Sequence, residues 1–180
     1  HIWSIAVFLQ CTLYINVTKD EENREVREYT DKLGKVVLKK VQETTTAAIN
    51  VDNNWTLTYY IYDEFERLRF VLQPKFIYRN SVYDGLATQP KKDMLDSLTF
   101  EYRYDERGRM IYKRVPGAKQ VEMVYDQWDR LVLSQDGNQR LASKWSFTKY
   151  DVLNRPIITG EFTNANTQAQ MITAVAAVTN

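Results

Sequence analysis

Five copies of the dipeptide Tyr-Asp punctuate this chain: Tyr62-Asp63, Tyr83-Asp84, Tyr104-Asp105, Tyr125-Asp126 and Tyr150-Asp151. With 12 Tyr and 12 Asp in 180 residues, random placement gives about 0.8. The first four are spaced by 21 residues each and the fifth follows after 25. The third residue after the Asp is also patterned: Gly108, Asp129, Asn154 and Glu66. A base comes next in every case, as Arg109, Arg130, Arg155 or Arg67. Two further copies keep this half of the pattern without the dipeptide, Asp31 with Gly34 and Lys35, and Asp20 with Asn23 and Arg24. Tyr83-Asp84 lacks it, being followed by Ala87-Thr88, and reads as a coincidence or a decayed copy.

A physical cause fits the spacing. Asp is favoured at the first position of a type I turn, where its carboxylate accepts backbone N–H bonds two and three residues on. The fourth residue of such a hairpin takes the left-handed conformation, which Gly adopts freely and Asn and Asp tolerate best. Positive φ is therefore expected at Gly34, Gly108, Asp129 and Asn154, with Glu66 a departure. The base after it begins the return strand, in a screened pair with the turn Asp.

Runs with strand character flank these turns. Before them stand 57–62, 98–104, 121–125 and 145–150; after them Val36-Val37-Leu38, 69–72, Ile111-Tyr112, Val132-Leu133 and Ile157-Ile158. In 98–104, Phe100, Tyr102 and Tyr104 alternate with Thr99, Glu101 and Arg103, which predicts one aromatic and one polar face. At the opposite strand ends, Val115-Pro116-Gly117-Ala118 is a type II turn signal and Gln135-Asp136-Gly137-Asn138 a hairpin signal. The meander is clearest over 98–160. A polar stretch at 42–54 reads as a loop, and 73–97 as an irregular insert with a short helix near Lys91–Asp96. Residues 164–178 read as a C-terminal helix, with Ala169, Ile172, Ala176 and Val175 at helical spacing and Asn164 or Asn166 as cap. The apolar run Ile5–Leu9 reads as a buried strand or the remnant of a targeting segment, too short to span a membrane. A chain opening on His1 rather than Met is expected to be part of a longer one.

Composition removes most catalytic chemistries. The single histidine is His1 and the single cysteine Cys11, too few for a Ser-His-Asp triad, a two-histidine metal site or an internal disulfide. No cofactor, metal or catalytic residue is expected. A net charge of +1 offers no field for nucleic acid, and no segment suggests membrane insertion. Asp126 and Asp129 as a carboxylate pair for glycoside hydrolysis are explained by their turn positions instead.

The segments Tyr104–Arg109, Tyr125–Leu131 and Tyr150–Ile157 resemble YD repeats of the RHS superfamily. Glu28–Leu38, Tyr59–Asp63, Val115–Gly117 and Leu131–Arg140 resemble its Bacteroidetes branch, and the likeness spans roughly 12–170. The resemblance implies a single YD-repeat segment over 1–180 of a very large secreted or cell-surface protein. Its repeats would form the wall of a β-shell enclosing a C-terminal toxin, with neighbouring repeats of the same chain as partners. Surface adhesion, through glycan or protein binding, is the alternative the family offers. Trp55, Trp128 and Trp145 are then the candidates to stack on a sugar, against packing roles for each.

The expected fold is mainly β, an antiparallel meander of YD-repeat hairpins forming an open curved sheet with a short C-terminal helix. No hairpin with a single apolar face buries it alone, so successive hairpins must pair. Edge strands left unpaired, near Ile5–Leu9 and 157–159, are expected to support self-association.

Overall fold

The β-branched and aromatic runs become strands, and each Asp-centred signal becomes the turn between two of them. The computed structural model describes residues 13–43, 54–77 and 92–178. Among them eleven strands follow sequence order as an open antiparallel meander, and a helix follows the last. The predicted strand Ile5–Leu9, Tyr83-Asp84 and most of the stretch 42–54 lie outside the described residues, as do 78–91 of the insert. The chain divides into two compact units, His1–Phe100 and Glu101–Asn180.

The first unit holds β1 (Tyr14–Lys19), β2 (Glu25–Thr30), β3 (Val36–Gln42), β4 (Trp55–Tyr62) and β5 (Leu68–Leu72), each paired antiparallel with the next. Its buried apolar side chains are Val37, Trp55, Leu72 and Phe76. β1 is exposed along its whole length. Helix α1 (Lys92–Leu98) leads into β6 (Thr99–Tyr104), where Thr99 Oγ1 donates to the Leu95 carbonyl at 2.6 Å.

The second unit continues through β7 (Met110–Arg114), β8 (Val121–Tyr125), β9 (Leu131–Gln135), α2 (Gly137–Leu141), β10 (Lys144–Tyr150), β11 (Pro156–Thr163) and α3 (Gln168–Val178). Its core gathers Val124, Leu133, Trp145 and Met171, with Val132, Phe147, Phe162 and Val175 packed around them. The helix docks through Met171 and Val175, four residues apart on one face. Gln168 Nε2 ties its first turn to the sheet, donating to the Ile111 and Met123 carbonyls at 2.7 and 2.9 Å.

Four details differ from the sequence expectation. The helix begins at Gln168, not 164, and its cap is Thr167, whose Oγ1 accepts from Gln170 N while Gln170 Oε1 accepts from Thr167 N. Its packing face carries Met171 and leaves Ile172 exposed, a rotation of about one residue (100°) from the Ala169/Ile172/Ala176 stripe. A long flexible thioether fills the gap against Trp145 better than alanines do.

Gln135–Asn138 is not a tight hairpin turn. Asp136 caps α2, accepting from Asn138 and Gln139 N–H at 2.9 and 2.8 Å, and Gln139 Oε1 reaches back to Asp136 N–H. That reciprocal capping box favours one helical turn over a two-residue loop. Gly137 is there for close approach, since a Cβ on it would overlap Lys119 Cβ.

Finally, two of the three polar positions of β6 are buried. Thr99 and Glu101 are buried and Arg103 is exposed, while Phe100, Tyr102 and Tyr104 are half-buried. Glu101 is acceptable there because Arg114 and Arg103 both pair with it, at 2.9 and 2.8 Å.

Candidate functional site

One construction recurs at every Asp turn. The third residue after the Asp donates its N–H to the Asp carbonyl, and the Asp N–H donates to the carbonyl four residues on. Oδ1 accepts from the N–H groups two and four residues on, at 2.8–3.0 Å in all six copies. The second of these falls four residues on, not the three expected of a type I turn. The N–H three residues on is already committed to the Asp carbonyl, so the carboxylate takes the next one.

Oδ2 is left for the base. Arg24, Arg67, Arg109, Arg130 and Arg155 each donate Nε–H to their own turn Asp at 2.7–2.8 Å. The fourth turn residue is left-handed throughout: Asn23 (φ 61°), Gly34 (79°), Glu66 (63°), Gly108 (78°), Asp129 (62°) and Asn154 (61°). Glu66 takes this conformation without Gly, Asn or Asp chemistry, so the turn geometry overrides its intrinsic preference.

These contacts set the carboxyl electrostatics. Burial alone would push Asp63 and Asp105 up, but the Arg67 and Arg109 hydrogen bonds outweigh it and hold both below the usual carboxylate range. At Asp20 and Asp151 the backbone N–H of Arg24 and of Arg155 is the main cause of the same downward shift.

The base then does something the local pattern does not reveal. With Nε spent on its own turn, it reaches the next turn along the same end of the sheet. Arg109 Nη1 donates to the Asp126 carbonyl at 3.0 Å and to Asp129 Oδ1 at 2.8 Å. Arg130 Nη1 donates to the Asp151 carbonyl at 3.4 Å and Asn154 Oδ1 at 3.2 Å. Lys35 Nζ donates to the Glu66 carbonyl at 2.9 Å and Glu66 Oε2 at 2.6 Å. In each case the side-chain acceptor belongs to the left-handed residue. Glu66, Asp129 and Asn154 therefore carry an acceptor side chain at a position that conformation alone would give to Gly.

The Tyr of the dipeptide closes the same joint from the other side. Tyr62 OH donates to the Val36 carbonyl at 3.0 Å, Tyr125 OH to Met110 at 2.9 Å and Tyr150 OH to Leu131 at 3.0 Å. Each acceptor is the residue after the preceding base, and each ring lies beside that base: Lys35 on Tyr62 at 5.4 Å, Arg109 on Tyr125 at 4.9 Å, Arg130 on Tyr150 at 5.2 Å. A register shift occurs at each of these Tyr residues, where the strand bulges next to the turn. The Asp20 turn has Lys19 in the Tyr position and shows no such shift.

While Asp31, Gly34, Asp63, Asp105 and Gly108 shape their own turns, Lys35, Tyr62, Arg109, Tyr125, Asp126, Asp129, Arg130, Tyr150, Asp151 and Asn154 are thus brought into hairpin-to-hairpin joints. Arg107 joins them, donating to the Gln127 carbonyl and to Asp129 Oδ2 at 3.2 and 3.0 Å. Its role was missed because it stands at an unpatterned turn position. The signal available was the 21-residue period, which places successive turns side by side.

The three tryptophans are not gathered. Trp145 is fully buried in the core and Trp55 is buried beneath the Arg27 guanidinium, 4.7 Å away, so neither presents a face for a sugar. Trp128 is exposed at its turn and stacks on Arg130 at 4.6 Å, with Tyr150 beside the same guanidinium. Among the described residues no three His, Cys, Asp or Glu are grouped as a metal site, and no helix is long and apolar enough to cross a membrane.

An open β-meander built on coupled turns is a repeat architecture. No family profile and no curated protein sequence matches the chain. Solved structures do resemble it. A crystal structure of TcdB2-TccC3-Cdc42 matches with a TM-score of 0.61 and 17% identity, over 91% of this chain and 8% of that one. The Photorhabdus luminescens Tc holotoxin pore matches with a TM-score of 0.57 and 17% identity, over 88% of this chain and 8% of that one. A crystal structure of TcdB2-TccC3 without its hypervariable C-terminal region gives 0.61 and 17%, over 91% and 8%. The fold is that of a short portion of Tc toxin chains.

Proposed function

We propose that this chain is a non-catalytic wall segment of a large secreted RHS-type protein, whose YD repeats enclose a C-terminal toxin before delivery. The observation that carries this reading is the joint. The repeated Asp side chains are committed to their own turns, and the Tyr and Arg side chains of the dipeptide pattern hold one hairpin to the next. Groups fixed in this way stiffen a wall and are unavailable to a substrate. The likeness to a portion of Tc toxin chains supports the same reading, since this chain spans only 8% of their length. Its partners are then the adjoining repeats of one longer chain.

Limited proteolysis of the full-length protein tests this. With the joints intact its C-terminal region resists protease. Paired Arg109→Ala and Tyr125→Ala substitutions, which open one joint, make that region cleavable. Equal cleavage in parent and variant overturns the reading.

A further inference from the structure

We propose that the polar cleft between α2 and the segment leading into α3 binds one neutral pyranose, either a free hexose or the end residue of a glycan. The site is separate from the turn joints, and none of its side chains takes part in one.

The cleft measures about 380 Å³, within the size range of small-ligand sites, and lies wholly within the second unit. Three parts of the chain build it. Strands β8 and β9 supply Glu122 and Gln135, which stand directly opposite one another and so share a face. Helix α2 supplies Arg140. The link from β11 to α3 supplies Asn164, whose N–H is held by the Ser143 carbonyl at 2.7 Å.

These side chains keep hydrogen-bonding capacity that the fold does not use. Gln135 is only 4% exposed. Its Nε2 donates to the Lys144 carbonyl at 2.9 Å, which fixes the orientation of the amide. Its Oε1 is then left to the cleft, with no donor among the described residues. Asn164 is the converse case. Its Oδ1 accepts from Asn166 N–H at 2.8 Å, and its Nδ2 has no acceptor among the described residues. Arg140 Nη2 is shielded from water and makes no hydrogen bond, although Glu122 Oε2 stands 3.3 Å away. The Glu122 carboxylate likewise accepts no hydrogen bond among the described residues. Polar groups this deeply placed are rarely left without partners, and a bound ligand supplies them.

The cleft thus offers acceptors at Glu122 and Gln135, donors at Arg140 and Asn164, and one charge of each sign. A phosphate or carboxylate only accepts and is repelled by Glu122; an ammonium only donates and is repelled by Arg140. A hydroxyl does both at one oxygen. A pyranose carries several hydroxyls in different directions, as groups on three parts of the chain require. An amide divides donor and acceptor between two atoms of one plane and serves fewer of them. None of the lining residues is aromatic, so recognition rests on hydroxyls rather than on ring stacking, and the tryptophans take no part.

D-glucose, D-galactose and D-mannose, each titrated into the isotope-labelled chain to about 20 mM, test this. At least one should shift the side-chain amide signals of Gln135 and Asn164, with a dissociation constant on the order of 1 mM. Its methyl α-glycoside separates the two sources: equal binding assigns a glycan end, and lost binding a free hexose. Glu122→Gln should weaken binding about ten-fold. Ala169→Leu, at an exposed helix position on the cleft, should block binding while leaving all four polar groups in place, and it remains a test if Glu122→Gln unfolds the chain. Inorganic phosphate, methylammonium and N-methylacetamide at the same concentration should leave these signals unmoved. The proposal is overturned if no hexose shifts them, if any of those three probes shifts them as the sugar does, or if sugar binding survives unchanged in the folded variants.

Discussion

Arg109 holds two carboxylates from two different turns, Asp105 through Nε at 2.7 Å and Asp129 through Nη1 at 2.8 Å. One planar guanidinium thereby fixes its own hairpin and positions the next, which a lysine could not do with the same fork. Asp129 occupies a left-handed residue to make this contact, so strain and attraction meet at one position.

That opposition predicts an order of stabilities. Asp129→Ala keeps the strained φ and loses the contacts to Arg107 and Arg109, and should cost about 2 kcal/mol. Asp129→Gly loses the same contacts but relieves the strain, and should cost about 1 kcal/mol less than the alanine variant. Urea unfolding curves of the two variants check this, and equal midpoints would refute the balance.

Gly108 offers the converse test. No acceptor is needed there, only a φ of 78°. Gly108→Val forces a β-branched residue into the left-handed region and should lower stability by more than about 1 kcal/mol. A variant melting with the parent would show that the turn does not hold that conformation in solution.

Tyr125→Phe and Tyr150→Phe remove single hydroxyls that bond to carbonyls of the preceding hairpin at 2.9 and 3.0 Å. Each should cost about 1 kcal/mol, with the ring contact retained. Amide exchange would report the same joint, rising at Met110–Arg114 in the first variant and Leu131–Gln135 in the second.

Stability should fall in acid. Asp20, Asp63, Asp105 and Asp151 are all held below their ordinary pKa in the folded protein. A depressed folded-state value means that the contribution is complete above the unfolded pKa, about 3.9, and is lost as pH falls from there through the folded value. The melting temperature should be level from about pH 7 to 5 and decline below about pH 4. A melt unchanged down to about pH 2.5 would contradict the assigned turn contacts.

Gly137→Ala should destabilise by about 1–3 kcal/mol although helix propensity favours alanine, because the new Cβ would overlap Lys119 Cβ, which is fixed to the backbone. Thermal denaturation of this single variant decides between the two effects.

The sequence alone determined the hairpins. Turn Asp, left-handed residue and following base are local in the chain, and the local physics of a turn selects them. Strand placement followed from the same punctuation: β8 is Val121–Tyr125 as expected, and β10 begins one residue earlier than its predicted run. What the period could not state was the purpose of Glu66 in a site suited to glycine, of Arg107 at an unpatterned position, or of Tyr before Asp. These residues act on a neighbouring hairpin 15–31 residues away, and such contacts exist only once the strands are paired. Tertiary packing likewise decided the face of α3, where Met171 rather than Ile172 meets Trp145, and the burial of Trp55 and Trp145. Local turn energies are written in adjacent residues; the choice of which side chain fills a gap or answers a charge is made by the element that arrives across from it.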